Sequence, residues 1–291
     1  MSSNADDQAG WRLRRDHILA NRTLSVPVLT IRRFFRISGT RKASQIAFNL
    51  FICVIPIAIM AFALFAIGKK NISLSQVMIE QFRLKGRTAD IIRSTFTSNR
   101  SIIKVASFIT IASFAISGFD VAAATQNTYA EAWETEPIKG WRGALRGGFW
   151  FVLVFAQFGF TQLLQYRVGR KGPFVLIGAI PLCFVSSYFM WAVTPRLMLG
   201  RQFARSALRP GAILGAIVST TVWLVGRTIL PGWFDWYGRG FGPIGIGLAL
   251  IGWTYVNAIS WVVIIVGTWA YWTKSNPDEV DETYSTAVDD L

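Results

Sequence analysis

Residues 244–272 read IGIGLALIGWTYVNAISWVVIIVGTWAYW and contain no charged side chain. About 20 consecutive apolar residues are enough for an α-helix to cross the hydrocarbon core of a bilayer. One amide, Asn257, lies near the middle of the stretch. This segment therefore predicts a transmembrane helix with a polar group at mid-depth, and it indicates an integral membrane protein.

Similar apolar stretches recur toward the N-terminus, separated by short and mostly basic connections. The composition agrees, since 52% of the residues are hydrophobic and 16% are charged, against about 25% charged in soluble proteins. We therefore predict an all-α polytopic membrane protein, one bundle of about six transmembrane helices. The predicted spans are 43–67, 102–133, 145–166, 174–193, 212–230 and 244–272.

The segments outside the spans have a different composition. Residues 1–23 are polar and residues 273–291 are polar and acidic, so we expect both to be disordered. Residues 24–37 place apolar side chains at helical spacing and Arg32, Arg33 and Arg36 on the other side, which predicts an amphipathic interfacial helix. A helix packed on the bundle would show the same pattern, and that alternative stays open. The transmembrane domain then covers residues 24–272.

Basic residues that flank the spans are more numerous on the side of the two termini. This bias favours both termini in the cytoplasm. The connection 69–101 is amphipathic and is expected to dip into the membrane on the other side. Glycines at 238–247 predict a hinge or a re-entrant turn before the last helix.

The net charge of +14 suits either nucleic acid or anionic lipid headgroups as a partner. The basic residues border apolar spans, and no soluble segment carries the aromatic and basic platform that binds single strands. We therefore predict the lipid bilayer and its anionic headgroups as partners, and no nucleic acid. A homo-oligomer and envelope partner proteins stay open as further partners.

Polar side chains inside the second predicted span recur three or four residues apart, so they share one helix face. They are Ser113, Ser117, Asp120, Asn127, Glu131 and Glu134, with Ala124 among them. These side chains form a polar stripe. Polar groups inside a membrane are costly, so each is a hypothesis for a functional site. The stripe predicts either a water-filled cleft for a charged headgroup or ordinary hydrogen bonds between helices.

Three other spans also carry polar residues. Arg227 lies in the fifth span, and Asp120 is its best acidic partner by depth, either as a structural ion pair or in a substrate site. The third span contributes Gln157, Thr161 and Gln165, and the sixth contributes Asn257. These side chains either face one shared cavity or bind neighbouring helices. The candidate pathway residues are Asp120, Asn127, Glu131, Arg227, Gln157, Gln165 and Asn257.

Several segments carry a further signal: AFNLFICVIP at 47–56, QNTYAEAW at 126–133, PGAILGAIVSTTVW at 210–223, and Tyr237-Gly238 followed by Trp253 and Tyr255. In this order and spacing they resemble the YihY/BrkB family of bacterial inner-membrane proteins, over about residues 30–272. Cys53 departs from a frequent Ser, and Thr268 and Trp269 replace an Ala-Glu pair. A role of that glutamate is therefore not transferred.

The resemblance implies an association with virulence or serum resistance and, for some members, with movement of lipid or lipopolysaccharide. An older description as ribonuclease BN is regarded as a misassignment. The residues agree, because RNA hydrolysis uses clustered carboxylates and His around a metal, or paired His, and the one histidine, His17, lies in the N-terminal segment. We therefore predict no enzyme, no cofactor and no catalytic or metal-binding residue.

The function that these observations favour is a transporter or flippase-like protein for lipid or another envelope amphiphile. The alternative is a non-transporting membrane scaffold for envelope machinery. A polar cavity open to one leaflet would favour transport, and a dry, close-packed bundle would favour the scaffold.

Overall fold

The computed structural model describes residues 22–68, 79, 86–95, 100–171, 174–200 and 205–275. Within these ranges every regular element is a helix and no strand occurs. The helices are α1 (Arg22–Arg36), α2 (Gly39–Gly68), α3 (Arg87–Thr95), α4 (Arg100–Ala132), α5 (Gly140–Lys171) and α6 (Phe174–Leu199). A last helical run, Arg205–Ser275, breaks at Gly242, and we call the arms before and after the break α7 and α8.

Within the described ranges, four helices are long and apolar enough to cross a membrane by length and composition. They are Gly140–Val168 in α5, Leu176–Leu199 in α6, Arg209–Gly242 in α7 and Ile244–Ser275 in α8. They coincide with the third to sixth predicted spans, so the prediction of a helical membrane protein is confirmed. Helices of 30 and 33 residues, α2 and α4, cover the first two predicted spans. The crossing of the membrane by these two helices, and so the count of six, stays a prediction.

The last two spans, α7 and α8, form an antiparallel hairpin. Gly211 of α7 lies against Thr268 of α8, and Gly226 lies against Trp253, so residue numbers rise along one arm as they fall along the other. Gly242 has φ 61° and ψ −139°, a backbone conformation that glycine adopts far more readily than other residues. The glycine-rich segment is therefore the turn between two spans rather than a hinge within one.

The first helix, α1, packs on the bundle along one face. Leu29 and Arg33 are buried, whereas Ile31 and Phe35 are 58% and 70% exposed. On the buried side, Thr30 lies near Gly267 of α8. The side of α1 that carries Arg32, Arg33 and Arg36 therefore does not face water throughout, because Arg33 points into the bundle. Placement of the exposed apolar edge in the membrane surface stays a prediction.

We call the end of the bundle that carries α1 the α1 end, and the opposite end, with the turn at Gly242, the hairpin end. Most of the predicted disordered segments, 1–23 and 273–291, lies outside the described residues, although α1 already begins at Arg22 and α8 runs on to Ser275. Most of the connection 69–101 also lies outside them. Its helix α3 packs at the hairpin end, where Ala89 and Ile92 join Leu230 and Phe234 in an apolar cluster.

Candidate functional site

A cavity of about 140 Å³ lies between α5, α6, α7 and α8. Its polar lining consists of amides, hydroxyls and one guanidinium: Gln157, Thr161, Gln162, Gln165, Ser187, Ser219, Arg227, Asn257 and Ser260. Four of the candidate residues named from the sequence therefore meet here, namely Gln157, Gln165, Arg227 and Asn257. No described residue that lines the cavity is acidic, so the formal charge of the described lining is positive.

The cavity extends from the middle of the bundle toward the hairpin end. Along α5 its lining runs from Val154 to Gln165, and these positions lie about 21 and about 37 Å from the start of the helix at 1.5 Å per residue. On α7, Arg227 lies about 27 Å from Arg209 by the same rise. A guanidinium at such depth is costly unless polar groups or water surround it, and this lining provides polar groups.

Some of the lining residues also hold the helices together. The Gln157 side-chain nitrogen donates to the Ser186 and Ser187 hydroxyls at 3.0 and 3.2 Å, which joins α5 to α6. The Asn257 side-chain nitrogen donates to the Trp253 carbonyl of its own helix at 2.8 Å. Gln157 therefore shows both predicted uses, a shared cavity and a hydrogen bond to a neighbouring helix, whereas Asn257 lines the cavity and bonds within its own helix.

Four tryptophans that line the cavity were not named as site candidates from the sequence: Trp191, Trp223, Trp253 and Trp261. A signal for one of them was present, because Ser219, Trp223 and Arg227 recur every four residues on one face of α7. Trp223 is 8% exposed, and its indole Nε1 is buried without a hydrogen-bond acceptor in the structure. A buried donor of this kind is rare in native proteins, and here it belongs to a residue of the cavity wall.

The other three candidates, Asp120, Asn127 and Glu131, lie on α4 and do not line this cavity. The side chains of all three are exposed, and Glu131 forms an ion pair with Lys42 of α2. No ion pair joins Asp120 to Arg227 among the described residues. The predicted pairing is therefore wrong, because similar depth does not place two residues on facing sides of their helices.

The polar stripe of the second predicted span lies on α4, and we call it the α4 stripe. Its end serves the packing of α1 and α2 on the bundle. Helix α4 ends in a left-handed residue, Glu134 with φ 51°, and the Thr135 N–H donates to the Ala130 carbonyl at 2.9 Å. This is the Schellman ending, which leaves further carbonyls of the last turn to be satisfied. Arg33 donates to the carbonyls of Glu131 and Ala132 at 3.0 to 3.1 Å.

The Arg33 guanidinium is also paired and stacked. It contacts the Glu134 carboxylate at 2.6 Å and lies 4.5 Å from the centre of the Trp269 ring. Burial lowers the pKa of Arg33, and the hydrogen bond and charge of Glu134 act in the opposite direction. These contacts fix α1 to both α4 and α8.

Comparison with known proteins gives the family of this chain. Among the described residues, no three His, Cys, Asp or Glu side chains are placed to hold a metal ion. Neither the curated proteins nor the solved structures yielded a match. The family model described as "Virulence factor BrkB" matches residues 30–287, a range that includes α2 to α8 and all residues of the cavity. The chain therefore belongs to the BrkB virulence-factor family.

Proposed function

We propose that this protein moves a lipid or another envelope amphiphile with an anionic headgroup across the membrane, and that the cavity binds the headgroup. One observation carries the proposal: a polar, positively charged cavity lies among helices that are apolar enough to span a bilayer. Polar groups at this depth are costly and are commonly found along substrate or ion pathways.

The lining has the chemistry that such a headgroup requires. Arg227 supplies a guanidinium, whose planar set of donors matches phosphate and carboxylate oxygens. Trp223 supplies an N–H without an acceptor, one turn from Arg227 on the same face of α7. The tryptophan rings are apolar surfaces with a polar edge, and these suit the boundary between a headgroup and its acyl chains.

We place the protein in the bacterial inner membrane with both termini cytoplasmic, as the flanking basic residues favour. In this orientation the cavity lies toward the periplasmic half of the bilayer, and α1 lies at the cytoplasmic surface among anionic headgroups. The proposed function is non-enzymatic, because the described lining offers groups that bind a ligand rather than a nucleophile with its base. A homo-oligomer or envelope partner proteins are compatible with it.

The proposal is tested with purified protein reconstituted into liposomes that contain headgroup-labelled phosphatidylglycerol or phosphatidylcholine. We expect the protein to accelerate the crossing of the anionic lipid, and Arg227→Gln to remove most of that acceleration. A matched control is Arg239→Gln, which removes an arginine whose side chain is 71% exposed at the hairpin end. Correctly folded protein that moves neither lipid would overturn the proposal and favour the scaffold.

A further inference from the structure

A layer of three tryptophans closes the cavity toward the α1 end. Trp191 and Trp261 line the cavity, and Trp150, which is fully buried, packs edge-on against Trp261 at 5.6 Å between ring centres. Trp191 meets the same ring at 6.4 Å. We call Trp150, Trp191 and Trp261 the tryptophan layer. It joins α5, α6 and α8 across the middle of the bundle.

The tryptophan layer is held by hydrogen bonds as well as by packing. The Trp150 indole donates to the Thr194 hydroxyl at 3.1 Å, and the Trp191 indole donates to the Ser219 hydroxyl at 2.8 Å. Gly215 makes room for Trp191, since a Cβ at that position would lie 2.3 Å from the ring. Trp150 and Trp191 are thus each held by a hydrogen bond, and Trp261 packs against both rings.

Beyond this layer, toward the α1 end, the interior of the bundle contains polar groups without partners. Gln126 is 8% exposed and Tyr129 is fully buried, and the Gln126 side-chain nitrogen and the Tyr129 hydroxyl have no hydrogen-bond partner in the structure. Leaving a buried polar group unsatisfied costs about 1–3 kcal/mol. Both residues lie three positions apart on one face of α4, so two such costs are concentrated in one place.

The register between α4 and α5 shows how far these groups lie from the cavity. Ala122 lies level with Gly147, and Phe151 lies level with Gly118, so Gln126 is about one turn closer to the α1 end than Gly147. Trp150 is about one turn from Gly147 in the opposite direction, toward the hairpin end. The axial separation of Trp150 and Gln126 is about 10 Å at 1.5 Å per residue. The polar groups of Gln126 and Tyr129 therefore lie beyond the tryptophan layer, closer to the α1 end of the bundle axis than the cavity.

We propose that the tryptophan layer is a closed gate across a path that continues to the α1 end, and that Gln126 and Tyr129 line this second part of the path. The inference rests on the proposed function and deepens it. In the described conformation the cavity lies on the hairpin side of the gate. When the path opens, the Gln126 amide and the Tyr129 hydroxyl meet water and the headgroup, which accounts for two buried polar side chains that have no hydrogen-bond partner in the structure.

The path is tested by the reactivity of single cysteines with a membrane-impermeant maleimide, in protein whose buried Cys53 and Cys183 are replaced by Ala. Gln126→Cys reports on the path, and Ala124→Cys, buried on the opposite side of the same helix, is its matched control. Glu136→Cys at the α1 end and Arg239→Cys at the hairpin end, whose native side chains are 84% and 71% exposed, identify the two sides.

We expect Gln126→Cys to react at least tenfold faster than Ala124→Cys when the reagent is on the α1 side. On the hairpin side it should react slowly while the gate is intact and at least tenfold faster once Trp150→Ala removes the gate. Where Trp150→Ala does not give folded protein by gel filtration, Thr194→Val keeps the ring, removes its acceptor, and should have a smaller effect in the same direction.

Two results would overturn the gated path: Gln126→Cys reacting no faster than Ala124→Cys from either side, or reacting from one side alone after the gate is removed. The labelling needs no lipid substrate. Failed lipid translocation together with the expected labelling would therefore reject the proposed function and retain the path. Normal translocation with unreactive Gln126→Cys would reject the path alone.

Discussion

The cavity and the α4 stripe are both sets of polar residues at helical spacing within apolar surroundings, yet the bundle uses them differently. At its α1 end the stripe has a cation for each of two carboxylates, because Glu131 pairs with Lys42 and Glu134 pairs with Arg33. The cavity contains a cation, Arg227, and no acidic side chain among the described residues that line it. Carboxylates that each have a cation indicate packing, whereas a lining of amides, hydroxyls and one guanidinium suits an anionic ligand.

This comparison changes the ranking of the candidate residues. On sequence alone Asp120 is the leading candidate of the stripe, because it is a carboxylate within a predicted span. In the structure Asp120 is exposed and lies outside the cavity, while Arg227 lies in its wall. Substitutions in the two regions should therefore differ in their effects on stability and on translocation.

The largest effect is expected from removing the structural role of the stripe. Arg33→Ala leaves the last carbonyls of α4 and the Glu134 carboxylate without their buried partner. It should lower the stability of the folded protein by about 2 kcal/mol. This loss is smaller than that for breaking a fully buried ion pair, because the Glu134 side chain is 36% exposed. Thermal unfolding in detergent measures this change. The control Lys42→Gln, in a pair whose carboxylate is 49% exposed, should cost about 0.5 kcal/mol, and equal losses would contradict the distinction.

The second effect belongs to the cavity. Arg227→Gln should reduce translocation of the anionic lipid at least tenfold, which corresponds to about 1.4 kcal/mol, while thermal stability changes little. Arg227→Lys should retain part of the activity, because it keeps the charge and loses the planar set of donors. A loss of stability without a change in the translocation rate would show that Arg227 has a structural role, like the charged residues at the end of the α4 stripe.

A smaller effect is expected from Trp223→Phe, which keeps an aromatic ring in the cavity wall and removes its indole donor. If that donor binds the headgroup, translocation should fall about threefold, in line with a hydrogen bond of about 0.7 kcal/mol. Comparison of the initial rates at several lipid contents distinguishes weaker binding from a slower crossing. A higher rate or unchanged kinetics would show that the N–H does not meet the substrate.

The smallest effect should come from Asp120→Asn, with a change in translocation below about twofold, because the residue does not line the cavity. Asn127→Ala, on the same exposed side of α4, serves as its control. A tenfold loss in Asp120→Asn would reverse the comparison and return the stripe to the pathway. The measurement is the same liposome assay, at equal protein content.

The amino-acid sequence determined the class of this protein and the nature of its parts. The apolar stretches are long enough to span a membrane wherever they fold, so the helices of the last four spans follow from composition and length. Polar residues within such stretches are conspicuous because their burial is costly, and for this reason Gln157, Gln165, Arg227 and Asn257 could be named in advance.

Only the tertiary structure decided which of these residues meet. Helical periodicity assigns a side chain to a face of its own helix but carries no information about the helix opposite. It therefore could not show that Arg33 points into the bundle, that Asp120 lies apart from Arg227, or that the tryptophans close one end of the cavity. The same holds for Gln126 and Tyr129, whose missing hydrogen bonds depend on packing between helices that are distant along the chain.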